Sequence, residues 1–212
     1  MKKTTLPFLI LLALCTMLFS CKNTLSFTLT SNNQIAFEAD CDFGNGSTIQ
    51  QMLAGVGTDF NNLNLDDLKA GLESDGFKNV EVYPKNKDGN GGLIVKGILP
   101  PDSPIITASG DSLTFSLSPL NFRDFYHGSG ENLATILDLF LIPVLADDEE
   151  SAQMDEKGYL DLIASFYGQP FADEISQSTL KILLKNKKQN TAQKTISFAT
   201  LFTIKSTIEI TL

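Results

Sequence analysis

The chain predicts a single α+β domain over residues 21–212. An antiparallel, strongly curved sheet of about six to eight strands has helices packed on one face. Three observations carry this. Apolar and polar residues alternate with period two near both ends of the domain. Apolar residues recur at helical spacing between those ends. Clusters of Gly, Pro, Asn and Asp punctuate the two patterns. Alternation marks half-buried strands, and three-to-four spacing marks amphipathic helices.

The first strand pair is read directly. Leu25, Phe27 and Leu29 alternate with Ser26, Thr28 and Thr30. Ser31, Asn32 and Asn33 supply turn chemistry. Ile35, Phe37, Ala39, Cys41 and Phe43 then alternate with Ala36, Glu38, Asp40 and Asp42. Cys41 falls on the dry face beside two carboxylates. It therefore reads as a small core residue and not as an activated thiol.

Gly44 to Gly46 turns the chain, and Ser47 with Gln50 has capping-box spacing ahead of Ile49, Met52, Leu53 and Val56. Asn64 with Asp67 repeats that logic ahead of Leu65, Leu68 and Leu72, with Gly76 as the stop. Strands are expected at about 78–83 and 92–99, then at about 105–109 and 113–118, the last two meeting at Gly110-Asp111. Residues 119–127 are aromatic-rich and predict a turn or short helix. Leu133 to Leu145 is the most apolar stretch after the N-terminus, broken only by Thr135 and Asp138. It is too short to span a bilayer, which takes about 20 residues, and predicts a buried helix. The sharper alternative is a lid or membrane-dipping element hinged at Gly128 and Gly130.

Asp147 to Glu156 reads as an acidic loop and Tyr159 to Tyr167 as an amphipathic helix ended by Gly168 and Pro170. Leu180, Ile182 and Leu184 alternate with Lys181, Leu183 and Lys185. Asn186 to Gln193 predicts a polar, basic hairpin loop. Ile196 to Leu212 predicts one long or bulged strand.

The N-terminus carries a different signal. Lys2 and Lys3 are the only charges before Cys21, and Thr4 to Phe19 is uncharged and mostly apolar. This is the form of an export signal. Leu18-Phe19-Ser20-Cys21 closes it and resembles the lipobox of bacterial lipoproteins, with Phe19 larger than that pattern prefers. The resemblance implies a signal peptide over residues 1–20 and a mature chain starting at Cys21, acylated there. Two or more acyl chains hold a protein stably to a bilayer, at about 0.8 kcal/mol per buried methylene. It also implies residence in the bacterial cell envelope. Lys22-Asn23 is not an Asp-type retention signal, which favours the outer membrane.

Composition narrows the partners. There are 16 basic residues against 25 acidic ones, a formal net charge of −9. Nucleic-acid binding needs a basic face, and anionic lipid attracts basic segments, so neither partner fits. With Cys15 in the signal and Cys21 acylated, Cys41 has no partner within the chain for a disulfide. The fifteen phenylalanines supply bulk for a core without one.

No catalytic grouping emerges. Asp124, His127 and Ser129 lie close in sequence, and they are the residues an envelope hydrolase would use. No nucleophile-elbow glycines surround Ser129, and a triad is a matter of geometry. A single histidine and a single remaining thiol do not make a zinc site. Placing Gly89 at the sixth position of a calcium loop puts Pro84 and Val95 at ligand positions, so Asp88 to Gly91 reads as a hairpin turn. Gly44 to Thr48 lacks the lysine of a phosphate loop, and Ile49 stands where a dinucleotide fold wants glycine. Asp147, Asp148, Glu149 and Glu150 read as a solvated acidic face. No cofactor and no metal are implied.

The expectation is a non-enzymatic, membrane-tethered binding module for an apolar ligand or an envelope protein. An apolar ligand would be lined by Phe122, Phe125, Leu133, Ile136, Leu137 and Phe140. A protein partner would instead meet an exposed apolar patch.

Overall fold

A computed structural model describes residues 23–42, 64–85, 92–128, 138, 140–146 and 149–212. The signal segment, the helix expected after Ser47, the turn at Asp88 to Gly91, and Ser129, Leu133, Ile136, Leu137, Asp147 and Asp148 lie outside these residues.

The strands are β1 (Asn23–Leu29), β2 (Ile35–Asp42), β3 (Lys78–Pro84), β4 (Gly92–Ile98), β5 (Ile106–Ser109), β6 (Ser112–Leu117), β7 (Thr179–Lys185), β8 (Thr191–Ser197) and β9 (Ile208–Thr211). The helices are α1 (Leu65–Ser74), α2 (Pro119–Gly128), α3 (Ile142–Leu145), α4 (Glu149–Ala152), α5 (Glu156–Tyr167), α6 (Gln169–Gln177) and α7 (Phe198–Phe202).

Among the described residues these strands make a six-stranded sheet, ordered β3-β4-β2-β1-β7-β8, and a three-stranded sheet, β5-β6-β9. The large sheet is mixed. Its neighbours are antiparallel except β1 and β7, which run parallel with Leu25 beside Ile182 and Phe27 beside Leu184. The expectation of one purely antiparallel sheet is corrected on both counts. Alternation reports which face of a strand is dry and carries no information about its distant partner.

The predicted alternation places one row of side chains in the core. Leu25, Phe27, Phe37, Ala39, Cys41, Leu93, Val95, Leu180, Ile182 and Leu184 are all at most 3 % exposed. The small sheet contributes Leu113, Phe115 and Leu117 to the same cluster, with the Phe27 and Phe115 rings 6.0 Å apart. Helices α5, α6 and α7 add Tyr159, Ile163, Phe171, Ile175, Phe198 and Phe202. On the other face of the large sheet a mostly polar, partly exposed row crosses the strands: Glu81, Lys96, Glu38, Ser26, Leu183, Gln193.

Local signals explain the boundaries. Asn64 caps α1, its Oδ1 accepting from the backbone N–H groups of Asp66 and Asp67 at 3.1 and 3.4 Å. Gly76 follows at φ 94°, a left-handed position that favours glycine. Gly97 lies opposite Phe37, where a Cβ would stand 2.9 Å from the phenylalanine ring. The missing side chain lets Phe37 lie across the strand and meet Phe77 edge-on at 5.3 Å.

The structure differs from the sequence reading at three further points. Pro170 sits in the first turn of α6 and does not simply end a helix. Proline lacks the N–H that a first turn leaves unbonded anyway, and Phe171, Ala172 and Ile175 form the buried stripe. The span from Ile196 to Leu212 is not one strand. Ser197 ends β8 and caps α7, accepting from the Thr200 N–H at 3.0 Å, and the chain re-enters a strand only at Ile208. The acidic stretch expected as a loop contains α4 and ends at Asp155, which caps α5 by accepting from Gly158 N–H at 2.8 Å.

Candidate functional site

The two ends of the large sheet differ in chemistry. At one end β1 begins with Asn23, which is 1 % exposed. Its Oδ1 accepts from the Asp42 N–H at 3.0 Å, tying the start of β1 to the end of β2. Lys85 reaches the same end and stands between Asp40 and Asp42, with its Nζ 2.6 Å from Asp40 Oδ1 and also in contact with Asp42. Burial works against the Lys85 charge, yet bonding to Asp40 and Asp42 holds its pKa above the usual lysine value. Asp40 Oδ1 is thus compensated by a charge-assisted contact to Lys85. Cys21 lies two residues before Asn23, so at most about 7 Å of chain separates the expected lipid attachment from a buried strand residue.

The opposite end carries a cleft of about 410 Å³. The β1–β2 turn supplies Asn33, Gln34 and Ile35, β3 supplies Lys78, and the segment after β4 supplies Leu99 and Pro100. Two cross-links hold this end in shape. Lys187 Nζ donates to Asn33 Oδ1 at 2.5 Å, and Asp111 pairs with Lys188 at 2.9 Å and Lys187 at 3.7 Å. Together they join the β1–β2, β5–β6 and β7–β8 turns. The neighbouring lysines, Lys188 foremost, keep the Asp111 carboxyl below its ordinary pKa. The amide side chains of Asn33 and Gln34 and the Lys78 ammonium beside apolar walls can orient a small polar ligand or a peptide segment.

A shallower recess of about 320 Å³ opens on the polar face of the large sheet. Glu38 and Lys96 pair across it at 2.9 Å, with the Lys96 ammonium 5.8 Å from the Tyr83 ring centroid. The Glu38 hydrogen bond first, and Tyr83 second, raise the Lys96 pKa well above the ordinary lysine value. The pair is half exposed and satisfied, so it reads as a lining of the open face.

The residues singled out from sequence separate into two groups. Phe122, Phe125 and Phe140 are 4, 2 and 1 % exposed and belong to the core. Phe140 stacks at 6.2 Å on Phe171 and tilts at 5.6 Å against Phe202. Their expected co-liners Leu133, Ile136 and Leu137 fall outside the described residues. Asp124 and His127 share α2 and are both exposed. The His127 ring meets Tyr126 edge-on at 5.6 Å. Tyr126 is hydrogen-bonded to Asp138, which raises the phenol's pKa.

Among the described residues no group of three His, Cys, Asp or Glu is placed to hold a metal ion, and no helix is long and apolar enough to cross a membrane. Among the described residues the large exposed apolar side chains are Leu120 on α2 and the neighbouring Phe166 and Tyr167 on α5, whose rings lie 6.2 Å apart. Sequence reading missed the cleft at the β1–β2 turn. The signal was available as turn residues at Ser31 to Gln34 and prolines at 100, 101 and 104, but only strand pairing shows that they meet at one end. No protein-family model, curated protein or solved structure matches the chain.

Proposed function

We propose that the chain is a lipid-tethered protein of the bacterial cell envelope whose folded domain binds a partner without catalysis, with residence at the outer membrane. The observation that carries this reading is the distance between Cys21 and β1. An acylated Cys21 leaves one residue, Lys22, before a buried strand, so the domain stands end-on at the bilayer with no long spacer. Seven residues of β1 at about 3.3 Å each put the cleft roughly 20 Å further out. A tether at one end and a recess at the other suit a module that presents its far end to the periplasmic side or the cell exterior.

Cleft residues Gln34, Lys78 and Pro100 suit a polar or peptidic partner. The apolar-ligand version needs the large sheet to curve around the helices and open a space beside Phe122, Phe125 and Phe140. Native mass spectrometry of the purified protein checks it: a co-purified lipid mass supports it, and a clean apo mass removes it. A hydrolase reading has less support, because Asp124 and His127 both stand in solvent.

The tether has its own test. Replacing Cys21 with Ala moves the protein from the membrane fraction to the soluble fraction, and mass analysis of the wild type finds acyl groups at residue 21. An unacylated wild-type N-terminus overturns the reading.

A further inference from the structure

The C-terminal hairpin of the large sheet has a charge opposite to that of the chain. Between Glu174 and Glu209 there is no acidic residue, while Lys181, Lys185, Lys187, Lys188, Lys194 and Lys205 all fall there, in a chain of net charge −9. Lys187 and Lys188 are paired with Asp111, and Lys205 reaches the Gln153 carbonyl. Lys181, Lys185 and Lys194 have no carboxylate within ion-pair distance among the described residues. Three positive charges are thus left on one hairpin.

That hairpin ends in the edge strand β8. No strand pairs with its outer side among the described residues, and Thr191, Gln193, Lys194 and Thr195 are exposed. The opposite edge, β3, is guarded. It carries a register break between Lys78 and Glu81, a left-handed Asn79 at φ 53°, and Pro84 at its end. Bulges and prolines are the usual devices that stop an edge from accepting another strand. β8 has neither, and pairs without interruption from Thr179↔Ser197 to Lys185↔Thr191. Within the strand the one guard is Lys194, and β9 approaches β8 without pairing to it. A lysine on an edge repels a second copy of the same edge but attracts a strand of opposite charge.

The rows beyond the edge extend the same preference. Lys181 lies between Thr24 and Thr195, and Lys185 between Thr28 and Thr191, on the open face. Lys194 projects from the other face, opposite Ile182. A strand added to β8 would therefore find positive charge on both of its faces.

We infer that β8 is the docking edge for an extended, acidic segment of another polypeptide, which adds a strand to the large sheet. Main-chain hydrogen bonds supply the pairing, and Lys181, Lys185 and Lys194 select the charge. The site lies apart from the cleft and does not depend on acylation of Cys21.

The test uses the full chain purified in detergent and three short fluorescent peptides. One alternates glutamate with valine, one alternates lysine with valine, and one is the glutamate peptide with a central proline. Fluorescence anisotropy shows binding of the first alone, and that peptide slows hydrogen exchange of the β8 amides. Each charge reversal, Lys194→Glu or Lys181→Glu, weakens it about five- to tenfold, as expected for a partly exposed ion pair turned repulsive. Lys194→Glu also admits the lysine peptide, a gain that a misfolded variant would not show. Equal binding of the glutamate and lysine peptides, or exchange protection elsewhere than β8, overturns the inference. So does Lys194-dependent binding to anionic vesicles without peptide binding, or self-association of the chain through β8.

Discussion

The hydroxyl of Tyr159 offers a sharp test of the packing described above. Tyr159 lies on α5 with no exposed surface, its ring 6.0 Å from Phe202. The hydroxyl has no hydrogen-bond partner among the described residues, and burial drives the phenol's pKa far above the ordinary tyrosine value. A buried hydroxyl without a partner costs about 1–3 kcal/mol of desolvation. Tyr159→Phe keeps the ring and removes that cost, while leaving a small void that returns part of the gain. The expected result is a stabilisation of about 1 kcal/mol. For a chain of this size that raises Tm by about 2–4 °C. Urea denaturation followed by circular dichroism, with the slope unchanged between wild type and variant, measures it. A loss of about 1 kcal/mol or more refutes the reasoning, because it would mean that the hydroxyl is bonded. Tyr159→Ala provides the scale, losing about 3–5 kcal/mol as the ring leaves a cavity.

Other expectations follow from contacts already described. Gly97→Val should lose about 1–3 kcal/mol in chemical denaturation, because its Cβ meets the Phe37 ring at 2.9 Å and the Lys78 carbonyl at 3.1 Å; an unchanged midpoint would contradict the close approach. Asp111→Asn should lower stability at neutral pH. Lys188 and Lys187 depress the Asp111 pKa in the folded state. Its contribution is therefore complete above the unfolded value of about 3.9 and disappears as pH falls through the folded value. Denaturation midpoints of wild type and variant should begin to converge below about pH 4 and meet once pH has fallen through the folded value, and a gap that persists below that value would exclude the ion pair as its source.

Much of the strand layout was legible because β1, β2 and β7 each carry a complete alternation. Phe27, Ala39 and Ile182 could be assigned to the dry face before any partner was known. Caps were legible for a similar reason, since Asn64 and Gly76 act on their own neighbours. The misses have distinct causes. The parallel contact of β1 with β7 is a property of distant segments, and neither Leu25 nor Ile182 bears a mark of it. Phe198 to Phe202 looked like strand because a short apolar run fits either period. The Ser197 side chain facing the Thr200 N–H was the signal that could have separated them. Pro170 reads in sequence as punctuation and in the structure opens the next helix. The cleft escaped notice because Gln34, Lys78 and Pro100 come from separate segments and only strand pairing brings them together. Phe122, Phe125 and Phe140, expected to line an apolar ligand, are buried in the core cluster.

The parallel pairing of β1 has a consequence for how the molecule is made. The strand nearest the start of the domain sits in the middle of the large sheet, and one of its two neighbours is synthesised near the end of the chain. A chain synthesised from its first residue must therefore hold one side of β1 unpaired until β7 emerges. Such long-range closure is slow. Folding of this chain should accordingly be sensitive to anything that delays its last segments, and a prematurely terminated product would display the very edge that the finished sheet conceals.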